Sequence, residues 1–259
     1  MPRFSANISM MFTEHNLLDR FTAAAAAGFG AAEIQFPYNI PAADLRAAKQ
    51  DAGLEIAVIN ISAGDLATGG PGLAAMPGRE DDFKHAVDQA CEYGAALNPE
   101  NMNILAGWPP LDQFARAQRL DVLSGNAALA AEALSGLGIR VTVEAVNCRD
   151  RPGYLLTTTD QALAAIDAAG HANLGIEYDI YHMQIMEGDL IHTITANMDR
   201  IGHIQFADTP GRHEPGTGEI NFPFLFEAID DAGWQGWLGA EYVPSGRTED
   251  GLDWLRPYI

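Results

Sequence analysis

Eight short β-rich runs alternate with helix-like stretches, and that alternation predicts an α/β fold closed as a (β/α)8 TIM barrel. Length agrees, since 259 residues is close to the roughly 250 typical of such barrels. No Gly-rich phosphate loop follows the first run, which argues against a doubly wound open sheet. No linker or composition break divides residues 1–259, so a single domain is expected.

FSANI (Phe4 to Ile8) is the first strand, followed by a helix from about Asn16 through the alanine run to Ala27, stopped by Gly28. The alanines read as a helix face packed close to a sheet. AAEIQF ends at Phe36 before Pro37, LEIAVIN runs from Leu54 to Asn60, and NMNIL ends at Leu105. IRVTVE then ends at Glu144, LGIEYD at Asp179, IGHIQF at Phe206 and GWLGAE at Glu241. Helical periodicity between the strands is clearest over 127–137, 161–169 and 222–232.

With 35 acids against 15 bases, the formal charge is −20. Such a surface repels phosphate backbones, so neither nucleic acid nor an anionic membrane is an expected partner. An anionic substrate must then be met by locally placed arginines. Nothing approaches a signal peptide or a membrane span, and two cysteines, Cys91 and Cys148, make no disulfide framework. A cytoplasmic location is expected, and homo-oligomerisation stays open.

The last four strands each finish in an oxygen-bearing side chain: Glu144, Asp179, Gln205 and Glu241. Their separations of 35, 26 and 36 residues are about one βα unit each. In a closed parallel barrel they converge at the C-terminal mouth, where barrel enzymes keep their chemistry. Three carboxylates and an amide oxygen repel one another unless a cation sits among them. Hard oxygen ligands of this kind suit one Mg²⁺ or Mn²⁺. The plainer alternative is that they cap strands or pair with arginines.

His182 lies three residues beyond Asp179, on the loop that follows, and its place beside a proposed ligand makes it a functional candidate, where a lone histidine is more often a satisfied structural group. His203 alternates within the seventh strand. His15, His85, His171 and His192 fall in helical or connecting stretches, and His213 sits in a mobile-looking loop. That Gly/Pro-rich loop, DTPGRHEPGTGEI, carries Arg212, and MPGRE after the third strand carries Arg79. Both arginines are candidates to recognise a substrate carboxylate. Lys49 and Lys84 are the only lysines, both in predicted helices, which excludes a Schiff-base aldolase. No G-x-S-x-G elbow occurs, and Cys148 reads as a small filler near the site.

The segments SANISMMFTE, FPYN, AGD, PGRE, EAVNCRDRPGYLL, YDIYHMQIMEGDL and EPGTGEIN resemble, in order and along the whole chain, hydroxypyruvate isomerases of the xylose isomerase-like TIM-barrel superfamily. The resemblance implies one divalent metal at Glu144, Asp179, Gln205 and Glu241. It implies Glu144 and Glu241 as the acid–base pair, with His182 and Arg212 touching a small anionic 2-oxo acid. The expected reaction interconverts hydroxypyruvate and tartronate semialdehyde. A sister branch isomerises 2-oxo-tetronates, and a ketose isomerase or 3-epimerase is the remaining alternative. Gln205 stands where the ketose 3-epimerase branch has histidine, which argues against an epimerase. Ala145 and Ser62 replace prolines common in relatives. A DNA-repair-type phosphodiesterase lacks its histidine/acid cluster and basic face here, and a solute-binding module lacks an export signal.

Overall fold

Eight parallel strands pair in chain order and close on themselves. They are β1 (Arg3–Asn7), β2 (Ala31–Ile34), β3 (Glu55–Asn60), β4 (Asn101–Ile104), β5 (Arg140–Glu144), β6 (Leu174–Asp179), β7 (Ile201–Phe206) and β8 (Trp237–Ala240). The seam sets Phe4 beside Leu238 and Ala6 beside Ala240, which is what makes the sheet a barrel. The computed structural model describes residues 1–108 and 112–259.

Among the described residues, eight helices surround the sheet: α1 (Leu17–Ala26), α2 (Ala42–Ala52), α3 (Glu80–Leu97), α4 (Arg116–Ser135), α5 (Thr159–Ala169), α6 (Ile180–Met186), α7 (Leu190–Ala196) and α8 (Phe222–Asp231). Local sequence sets their ends. Thr158 caps α5 by accepting from the Gln161 N–H, and Gly170 closes it at φ 66°. Helix α4 starts well before the predicted 127–137 stretch. Its first residues, Arg116 to Gln118, are exposed and so show no apolar period.

Two connections depart from the regular repeat. After β6 the chain enters α6 at once, so His182 is helical rather than on a loop. Gly188 and Asp189, both at positive φ, separate α6 from α7. After β8 only 3₁₀ turns follow, over Thr248–Trp254 and Arg256–Tyr258. Trp254 takes the missing helix's place, packing on Phe4 at 5.2 Å and Phe206 at 5.3 Å between ring centres.

The barrel interior is unusually polar. Ser5, Glu33, Asn103, Thr142, Glu177 and His203 are all buried, where branched aliphatic layers are common. Glu33 on β2 reaches His203 on β7, strands that are not neighbours, so the contact spans the interior. Burial, followed by the Glu144 and Glu33 carboxylates, pushes the Glu177 carboxyl well up.

The predicted mobile loop after β7 is firmly held. Asp208 Oδ1 accepts from the N–H groups of Thr209 and Ile220, and Oδ2 from those of Gly216 and Gly218. One buried carboxylate thus collects four donors that a Gly-rich segment leaves available. Among the described residues, no helix is long and apolar enough to cross a membrane.

Candidate active site

Parallel register brings the strand-end residues together. Glu144 and Asp179 are the last residues of β5 and β6. Gln205 pairs with Asp179 across the β6–β7 ladder. Glu241 follows β8 directly, its N–H donating to Phe206 O at 3.0 Å. All four are buried, and Glu144 and Glu241 line a cavity of about 600 Å³ with His182, Arg212 and Arg151.

Asp179 shows why a core strand ends in an acid. Its Oδ1 accepts from the N–H groups of Tyr181 at 2.7 Å and His182 at 3.3 Å, capping α6. Its Oδ2 turns inward and has no hydrogen-bond partner. Gln205 is arranged the same way: Nε2 donates to Glu33 at 2.8 Å, while Oε1 is buried without a partner. Two buried oxygens that accept no hydrogen bond, on residues paired across the β6–β7 ladder, fit an oxygen-liganded cation.

The other two carboxylates are held by amides and a guanidinium. Asn103 donates to Glu144 Oε2 at 3.1 Å. Asn7 and Gln35 each donate to Glu241 Oε1 at 2.9 Å. Arg212 binds Glu241 Oε2 and lies 3.5 Å from Asp179 Oδ2. It also stacks over the Tyr181 ring, with 5.3 Å to the centroid. One guanidinium does not neutralise the centre. Burial, then the Glu241 and Asp179 carboxylates, pushes Glu144 well up. Burial raises Asp179, with Arg212 opposing. Burial likewise raises Glu241 to about 7 against the pull of Arg212.

Glu144, Asp179 and His182 each bring a ligand atom to within 4.8 Å of the others, so this group could hold a metal ion. The hydrogen bonds of His182 define its part. Asn147 Oδ1 accepts from the Asp150 N–H at 2.8 Å, which fixes the amide. Its Nδ2 therefore donates to His182 Nδ1, at 2.6 Å. Burial, followed by the Arg212 charge, pushes the imidazole pKa well down, so the ring is neutral. Its one proton is then on Nε2, facing Asp179 Oδ2 at 3.4 Å and Glu144 Oε1 at 3.7 Å. In this tautomer His182 is a donor and not a ligand.

Of the sequence candidates, Glu144, Asp179, Gln205, Glu241, His182 and Arg212 meet at one mouth. Arg79 does not line the cavity. It is paired with Asp65 at 3.3 Å and Asp82 at 2.8 Å. The second guanidinium on the cavity wall is Arg151, which sequence reasoning passed over. Asn7, Gln35 and Asn103 were missed too, although they sit at or near strand ends in the first half of the barrel. The same strand-end scan applied to β1, β2 and β4 finds them.

A closed parallel barrel with buried carboxylates and an amide gathered at its C-terminal mouth, in a group that could hold a metal ion, defines the class of barrel proteins with a candidate metal centre at the strand ends. A family model described as xylose isomerase-like TIM barrel matches residues 21–258. The chain is 46% identical over 259 residues to the 2-oxo-tetronate isomerase of Cupriavidus necator, covering 100% of this chain and 99% of that one. It is 45% identical to the hydroxypyruvate isomerase of Escherichia coli, with both chains fully covered. A crystal structure from Brucella melitensis, titled AP endonuclease, family 2, superposes with a TM-score of 0.96 at 39% identity, covering 100% and 99% of the two chains. The chain belongs to the hydroxypyruvate and 2-oxo-tetronate isomerases of the xylose isomerase-like TIM-barrel family.

Proposed function

We propose that this isomerase interconverts hydroxypyruvate and tartronate semialdehyde by proton transfer through an enediolate. It rests most directly on two buried oxygens that accept no hydrogen bond, Asp179 Oδ2 and Gln205 Oε1, beside two glutamates of raised pKa. Such a centre suits a cation and a proton relay together.

Glu144, Asp179, Gln205 and Glu241 would hold Mg²⁺ or Mn²⁺, since all four offer hard oxygen. When bound, the ion supplies Lewis-acid polarisation of the substrate's carbonyl and hydroxyl oxygens. One glutamate takes a proton from C3, leaving negative charge on the C2 oxygen and giving the enediolate. The other delivers a proton to C2 while the C3 hydroxyl proton passes to the C2 oxygen, leaving the aldehyde. Atoms balance with no redox partner. His182 Nε2–H donates to a substrate oxygen, held in place by Asn147. Arg212 and Arg151 meet the carboxylate, because three ligand carboxylates around a divalent ion leave a formal charge of −1.

A four-carbon 2-oxo-tetronate is the second reading. The relative in Cupriavidus necator carries that name, and a cavity of about 600 Å³ has room for the extra carbon. The test is a panel of hydroxypyruvate, a 2-oxo-tetronate and neutral ketoses, assayed with metal-stripped and metal-restored protein. Highest kcat/KM for hydroxypyruvate supports the proposal, preference for the tetronate moves it to the sister branch, and faster ketose turnover overturns both.

A further inference from the structure

Below the strand-end residues lies a buried carboxylate that the proposed chemistry does not use. Glu33, on β2, is fully enclosed and reaches side chains on two other strands, β1 and β7. Its Oε1 receives Ser5 Oγ at 2.6 Å and His203 Nε2 at 2.7 Å. Its Oε2 receives Gln205 Nε2 at 2.8 Å and, more weakly, Asn7 Nδ2 at 3.5 Å. The Asn7 amide cannot be reversed without cost, since its Oδ1 accepts the Ser9 N–H at 3.1 Å. Donors thus converge on both oxygens, and Glu33 serves as an acceptor throughout.

An amide side chain has two nearly isosteric orientations, one presenting oxygen and the other NH₂. For Gln205 the choice is decisive. With Nε2 on Glu33, its Oε1 is left without a hydrogen bond and available to ligate a cation. Reversed, it would put an NH₂ group against the cation and a carbonyl oxygen against a carboxylate. We propose that Glu33 is the positioning residue that selects the ligating orientation of Gln205.

A second feature of the sequence serves the same arrangement. On β8, directly across the Glu33 carboxylate, stands Gly239, and a Cβ built there would collide with that carboxylate. The backbone of GWLGAE therefore leaves room for a side chain arriving from another strand, as glycine within a strand often does. Gly239 also pairs with Gln205 in the β7–β8 register. Support, room and ligand accordingly lie on one level of the barrel.

Glu33 can act this way only if Gln205 is a ligand, so the assignment rests on the metal-centre reading above. The test is Mn²⁺ binding to metal-stripped protein, followed by electron paramagnetic resonance and calorimetry. It needs no turnover. The variants are Gln205→Ala, Glu33→Ala, Glu33→Gln and the double variant Glu33→Gln with Gln205→Ala, each checked for folding by thermal melting. Glu33→Gln keeps the volume, yet an amide can face Gln205 with either end, so selection is lost. Each Glu33 variant is expected to weaken Mn²⁺ by roughly ten- to a hundred-fold, the usual scale for outer supports of a ligand. The double variant is expected to bind no worse than Gln205→Ala alone. If Glu33→Ala does not fold, Glu33→Gln and Gly239→Ala, which crowds the carboxylate, make the same measurement.

Unchanged Mn²⁺ affinity in the Glu33 variants, with a loss in Gln205→Ala, overturns the role of Glu33 and leaves the metal centre standing. Fully additive losses in the double variant also overturn it, because Glu33 would then act elsewhere. Wild-type affinity that survives Gln205→Ala together with Asp179→Ala removes the metal-centre reading, and this role with it.

Discussion

The Asn147 amide nitrogen donates to His182 Nδ1 at 2.6 Å, and the Asp150 N–H holds that amide from behind. This pair decides which nitrogen of a buried neutral imidazole faces the site. Asn147→Asp replaces the donor with an acceptor and should move the ring proton to Nδ1. The expected result is a fall in kcat of roughly 10²-fold, the lower end of what general acid–base groups contribute, with metal affinity retained or increased. Steady-state kinetics with parallel Mn²⁺ titration checks this. Unchanged kcat would mean that the Nε2 proton is not used.

Metal loss should be felt in stability and should depend on pH. In the folded metal-free protein, burial raises the Glu241 carboxyl from 4.5 to about 7. Between those values the folded state binds more protons than the unfolded chain, so stability falls as pH rises through that window. Above it, Mg²⁺ or Mn²⁺ should restore the melting temperature at about one ion per chain, as expected from a single set of four oxygen ligands. Melting curves at pH 5 and 8 with and without metal test this. A metal effect equal at both pH values counts against it, as does full metal binding by Glu144→Ala with Asp179→Ala.

Glu144→Gln and Glu241→Gln should each lower kcat at least roughly 10²-fold while the chain still folds. Solvent deuterium should appear at the newly protonated carbon during wild-type turnover. Complete retention of substrate hydrogen would point to a hydride shift, with the glutamates kept only as ligands.

Arg212→Ala and Arg151→Ala should raise KM for hydroxypyruvate by about tenfold or more, since a charge-assisted contact contributes about 1.5–3 kcal/mol. Neutral ketoses should be far less affected. Arg79→Ala is expected to leave KM nearly unchanged, because Arg79 is paired with Asp65 and Asp82 away from the cavity wall. Unchanged kinetics in both Arg212→Ala and Arg151→Ala would remove the carboxylate from the recognition scheme.

The sequence by itself determined the barrel and the mouth of the site. Strand periodicity is local, so all eight strands could be read from apolar runs bounded by turns. A parallel barrel also puts every strand's C-terminal end on one face, so Glu144, Asp179, Gln205 and Glu241 could be grouped by position alone. Tertiary structure decided what those side chains do. Gln205 is turned by Glu33, which lies 172 residues away in sequence. His182 takes its tautomer from Asn147 across the β5–β6 connection. Arg79 and Arg151 both occur in plausible loops, but only Arg151 reaches the cavity wall. Burial and hydrogen-bond direction depend on neighbours brought from distant strands, and no local pattern encodes them.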